Sequence, residues 1–227
     1  MIFPQRHRMI RALGVALIRA LLVALTLAPI PALAGAQVEE RLAPSVVAGL
    51  HRAIADDPAP ADYANQAGLR PWRDEMSRRL ASKVSDAGSR GDFIATVHYE
   101  AARAGLDPQL VLGVIQYESN FRKYAISSAD ARGYMQVMPF WTKLIGSGEH
   151  NLFNLRTNLR YGCVILRHYL DAENGDLFRA LGRYNGSLGR PEYPNAVLAT
   201  MNRNWQYPPP PAAVPKLGAA LSPVAAR

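Results

Sequence analysis

Few side chains in this sequence are arranged to do chemistry. It contains no GxGxxG loop, no P-loop, no HExxH pair and no recognised elbow for a Ser-His-Asp site. His51, His98, His150 and His168 are scattered without ligand spacing, so they read as surface or core histidines. The single cysteine, Cys163, excludes an intrachain disulfide and a multi-cysteine metal site. It lies among apolar residues at helical spacing and reads as a buried, unreactive thiol. What remains is Glu118, set among Ile115, Tyr117 and Phe121. A carboxyl held among apolar groups ionises reluctantly, and its raised pKa suits a general acid near neutral pH. By itself the signal is weak, because a glutamate at a helix end is usually a surface residue.

The elements around Glu118 are legible from their start and stop residues. Asp107-Pro108 predicts a helix over 109–119, with Asp as cap and Pro in the first turn. Leu110, Val111, Val114 and Ile115 would face inward and Glu118 would fall on the last turn. There the helix dipole opposes a negative charge, which again favours the protonated acid. Asp92 is the predicted cap of a helix over 93–104 that stops at Gly105. Residues 128–150 are Gly-rich and irregular, with room for a small β-hairpin around 131–140. A long amphipathic helix is expected over 154–172. Asp176 opens a short helix ending near Tyr184-Asn185-Gly186, and Pro194 opens another reaching about Trp205. Upstream, Ser45 is the predicted cap of a helix over 45–55, and a second spans 72–84. The fold class read from this pattern is all-α.

Several short motifs follow one another in a fixed order: Glu118-Ser119, Ala125-Ile126-Ser127, Gly133 to Pro139 (GYMQVMP), Asn158 to Gly162 (NLRYG) and Tyr184-Asn185-Gly186. In this order and spacing the chain resembles the soluble lytic transglycosylases of bacterial cell walls, whose SLT catalytic domain is related to goose-type lysozyme. The resemblance covers about 93–190. It implies a lysozyme-like fold and an enzyme that cleaves the β-1,4 bond between N-acetylmuramic acid and N-acetylglucosamine. It also implies closure of a 1,6-anhydro ring without water, and no metal or cofactor. Residue by residue, Glu118 matches the catalytic acid/base. Ser127 matches the hydroxyl near the acetamido group of the reacting sugar. Gln136 and Met138 match groove-lining residues. Tyr184 matches a phenol over the carboxyl, and Asn185 follows it. The chain departs from the pattern at Tyr134, where the family usually has Leu. A hydrolase on the same fold would need a second acid. Asp130 is the nearby candidate, though its Ser-Ala-Asp-Ala setting suits a solvent-facing turn. A non-catalytic glycan-binding assembly factor is the third reading.

The chain has 227 residues, 49% hydrophobic and 19% charged, enough to bury a core. Half of its net charge of +8 lies at one end. Residues 1–34 carry Arg6, Arg8, Arg11 and Arg19 and no acid, then a nine-residue apolar run and an Ala32-Leu33-Ala34 cleavage pattern. This predicts a secretory signal cleaved after Ala34, too short to serve as a membrane span. Removing it leaves 22 basic and 18 acidic residues, dispersed along the chain, so nucleic-acid binding is not expected. The predicted organisation is a signal peptide over 1–34, a helical extension over 35–90, a catalytic domain over 91–206, and a Pro/Ala-rich tail over 207–227. The expected location is the periplasm, with glycan strands of peptidoglycan as partner. Small enzymes of the resembled family often open wall for secretion or conjugation machines, but no residue here identifies such a partner.

Overall fold

The computed structural model describes residues 37–55 and 63–207. The predicted signal peptide and nearly all of the Pro/Ala-rich tail lie outside the described residues. Eight α-helices carry the described chain: α1 (Pro44–Ile54), α2 (Arg70–Leu80), α3 (Ala87–Arg103), α4 (Pro108–Ser119), α5 (Phe140–Ile145), α6 (Leu155–Ala172), α7 (Leu177–Asn185) and α8 (Glu192–Thr200). A π-helical turn, Met201–Trp205, continues α8. No strand is present among the described residues. The expected hairpin is reduced to two isolated bridges, Ile126 with Arg132 and Arg132 with Val137. Among the described residues, no helix is long and apolar enough to cross a membrane.

Four of the eight starts follow a side-chain cap. Asp107 accepts from the Gln109 amide at 2.8 Å, Asn154 from Thr157 at 3.1 Å, and Asp176 from Arg179 at 3.0 Å. Four starts differ from the sequence reading, among them α2, which runs Arg70–Leu80 and not 72–84. α3 begins at Ala87, capped by Asp86, so Asp92 lies inside the helix. α1 begins at Pro44 and makes no side-chain cap, so Ser45 is helical. α8 begins at Glu192, with Pro194 in its first turn. The irregular segment also contains α5, too short to show a period of its own.

The core runs through α3, α4 and α6. α3 packs on α2, α4 and α6, while α4 packs on α8 and the π-turn. α1 packs on α5 and α6. Leu112, Ile115, Leu159, Ile165 and Leu166 are fully enclosed, and each such side chain contributes about 1.5–3 kcal/mol on burial. Arg160 of α6 bonds the carboxylate of Glu100 through two nitrogens, and its Nη1 also donates to the Ala55 carbonyl at 2.7 Å. This buried pair ties the end of α1 to the α3–α6 interface. His98 is enclosed against Trp72 and bonds the Tyr63 hydroxyl at 2.7 Å; burial lowers its pKa to about 4, so it is neutral. Cys163 is buried, and desolvation pushes its thiol pKa well up.

Candidate active site

Glu118 lies in the last turn of α4, and its carboxyl is enclosed. The helix stops immediately after it because Asn120 and Phe121 take left-handed backbone angles, φ 49° and 65°. Oε1 accepts a 2.6 Å hydrogen bond from the hydroxyl of Tyr193, in the first turn of α8. Oε2 is buried and has no hydrogen-bond partner. Burial raises the Glu118 pKa from 4.5 to about 8, and the Tyr193 hydrogen bond opposes part of that rise. At neutral pH the group is therefore a carboxylic acid with a proton to give. Tyr117 flanks the pair, edge-on to Tyr193 at 5.1 Å and partly exposed.

The segment after α4 folds into a tight loop tied by its own backbone bonds, including Ser127 N to the Ala131 carbonyl at 3.0 Å. Ser127 Oγ accepts from the amides of Ala129 and Ala131 at 3.2 and 3.1 Å, which leaves the hydroxyl proton unused by these bonds. Gln136 has φ 49°, and its side-chain amide donates to the carbonyls of Ala125 and Gly133 at 3.1 and 2.9 Å. Its side chain thus braces the loop from within. Met138 is partly exposed against the core. Gly133 and Gly162 are required for close approach. A Cβ on Gly133 would meet Asn158 and the Leu152 carbonyl at 2.5 Å, and one on Gly162 would meet Met135 Sδ at 2.4 Å.

Tyr184 is fully enclosed, and its hydroxyl donates to the Met135 carbonyl at 2.7 Å. The phenol hydrogen-bonded to the carboxyl is Tyr193, whereas Tyr184 anchors the loop. Burial and the nearby Glu118 both push the Tyr184 pKa well up. Asn185 ends α7 and donates to Ser187 Oγ at 3.1 Å. Asp130 is exposed at φ 67° and paired with Arg132, so it is a turn residue on the surface. Glu100 is buried but bound to Arg160. Two open clefts, of about 930 and 600 Å³, are lined by other residues and do not include Glu118. Among the described residues, no cluster of three His, Cys, Asp or Glu side chains could hold a metal ion.

Residues 95–196 match the family model described as the transglycosylase SLT domain. The matched segment contains all six residues that the sequence singles out for the site, from Glu118 to Asn185. A transglycosylase of Enterobacteria phage PRD1 is 33% identical over 114 residues, covering 47% of this chain and 42% of that protein. A membrane-bound lytic murein transglycosylase C of Mannheimia succiniciproducens is 47% identical over 131 residues, covering 51% of this chain and 35% of that protein. The protein of the same name from Histophilus somni strain 2336 is 47% identical over 113 residues, covering 43% of this chain and 31% of that protein. The chain therefore spans well under half the length of these relatives.

Two residues that hold the site together carry no role in the sequence reading. Tyr193 had no signal beyond its place before Pro194. Asn158 had one, as the first residue of a recurring motif. It is fully enclosed: Oδ1 accepts from the Met135 amide at 2.8 Å, and Nδ2 donates to the carbonyls of Arg132 and Leu152 at 2.8 and 2.9 Å. A buried amide that satisfies three backbone groups fixes the loop's register against α6.

Proposed function

We propose that the protein is a peptidoglycan lytic transglycosylase in which Glu118 is the single acid/base. The observation that carries this reading is an enclosed carboxyl, protonated at neutral pH, with a phenol on one oxygen and the other oxygen unpartnered. Protonated Glu118 donates to the glycosidic oxygen between N-acetylmuramic acid and N-acetylglucosamine. The bond to the muramic C1 breaks, and the sugar's acetamido group stabilises the cationic centre. The Glu118 carboxylate, held by Tyr193, then takes the proton of the C6 hydroxyl. The C6 oxygen bonds to C1, closing the 1,6-anhydro ring and regenerating the acid.

Ser127 orients the acetamido group through its hydroxyl, and Met138 contributes to the groove wall. Gln136, Tyr184 and Asn185 shape that wall from behind. The hydrolase reading requires a second free carboxylate, and Asp130 and Glu100 are each engaged by an arginine. The substrate supports a location in the cell envelope, and the arginine-rich leader pattern supports the periplasm as the finer reading. Wall opening for a secretion or conjugation machine is a finer reading, tested by co-purification from envelope fractions.

Mass analysis of products from purified peptidoglycan tests the chemistry. Anhydromuramic ends are expected, and reducing muramic ends would instead establish a hydrolase. Glu118→Gln keeps the shape and removes the proton, so its muropeptide release should fall by at least about a thousandfold. Release at the wild-type rate would overturn the assignment.

A further inference from the structure

Gln37 comes from well outside the matched domain, yet its side chain is 96% enclosed within the loop next to the site. Its Oε1 accepts from the Met138 amide at 3.3 Å and from the Trp141 indole nitrogen at 3.1 Å. Its Nε2 donates to the Gln136 carbonyl at 3.5 Å, and the same amide faces the Tyr184 hydroxyl. Three residues on, Glu40 pairs with Arg183 of α7 at 3.0 Å, next to Tyr184 in the chain. The segment 37–40 thus touches both the 136–141 loop and the helix that anchors it.

Gln136 is the strained residue of this loop, a non-glycine in the left-handed region. Such a conformation persists when its surroundings over-determine it. Gln37 supplies part of that restraint, because it grips the carbonyl of Gln136 and the amide of Met138, on either side of Val137. Both ends of its carboxamide are used, and removal of either leaves a buried backbone group unpaired.

We propose that Gln37 is a positioning residue for the glycan groove: a side chain from the N-terminal extension fixes the Gln136–Met138 wall and so sets how tightly glycan binds. This rests on the transglycosylase reading for the identity of the glycan. It makes the extension part of the binding site and not only a helical lead-in. Because the hydrogen bonds of Gln37 go to Gln136, Met138 and Trp141 and not to Glu118, its effect is expected on binding and not on the chemical step.

The test uses Gln37→Met, which preserves the volume and removes every hydrogen bond. Hydrogen exchange of the Met138 amide is expected to quicken about five- to tenfold, with amides in the middle of α6 unchanged. Binding to purified sacculi, measured with Glu118→Gln as the parent so that nothing is cleaved, is expected to weaken about three- to tenfold. In the active background KM rises by a similar factor while kcat and its pH profile hold. Glu39→Gln, at an exposed position of the same segment, serves as a surface control and moves these quantities less than twofold. An unchanged Met138 exchange rate, or unchanged sacculus binding, would overturn the proposal. If the wild-type protein releases no muropeptides, the transglycosylase reading fails; exchange and sacculus binding still decide the role of Gln37.

Discussion

Glu118 should make the protein less stable as the pH rises, and Glu118→Gln should remove this dependence. The folded-state pKa is about 8 against an ordinary 4.5. Below 4.5 the group is protonated whether the chain is folded or unfolded, and burial carries no charge penalty. Between 4.5 and 8 the unfolded chain releases the proton and the folded one retains it, so stability falls with each pH unit. Above 8 the loss is complete. At about 1.4 kcal/mol per unit this amounts to about 4–5 kcal/mol. Glutamine has no such titration. It keeps an oxygen for Tyr193, and its NH2 group replaces the O–H of the acid at the unpartnered position, so the two side chains cost about the same at low pH. Melting temperatures of wild type and Glu118→Gln should therefore coincide near pH 4.5 and diverge toward pH 8.5. There the variant should melt higher by on the order of 10 °C, from about 2–4 °C per kcal/mol for a domain of this size. Parallel curves, separated equally at both pH values, would refute the claim that Glu118 is buried as a neutral acid.

Tyr193→Phe removes the one hydrogen bond that favours the Glu118 carboxylate. A bond to a charged group contributes about 1.5–3 kcal/mol, so the alkaline limb of kcat/KM, near pH 8 in the wild type, should move up by about one to two units. A limb that stays in place or moves down contradicts the assigned contact. Asn158→Ala leaves the Met135 amide and two carbonyls unpaired in the interior, and thermal melts should show a loss of about 2–4 kcal/mol. A loss below about 1 kcal/mol would mean that the loop holds its register without this side chain.

Local signals in the sequence determined much of the helical frame. Asp107-Pro108, Asn154 and Asp176 specify helix starts because a side-chain oxygen and the backbone amides it caps are two or three residues apart. For the same reason the order of motifs was enough to single out Glu118 and to place it at a helix end. Where neighbouring residues offered equivalent local signals, the sequence reading was a few residues off, as with Asp92 in place of Asp86. The extended pairing expected around 131–140 did not form, because Gln136 turns the chain left-handed there and its amide ties the loop to itself.

Only the tertiary structure decided which phenol meets the acid. Tyr184 and Tyr193 are equally aromatic and nine positions apart, yet Tyr184 on α7 reaches the Met135 carbonyl of the loop, while Tyr193 lies on α8, which packs on α4 and so reaches Glu118. The same holds for the burial that makes Glu118 an acid at neutral pH, which is a sum over neighbours from several elements. It holds again for Gln37, whose partners lie about a hundred residues away and leave no trace in local pattern. Composition and spacing fix what a short stretch prefers. Desolvation and long-range hydrogen bonds depend on which stretches meet, and here they set the protonation of Glu118.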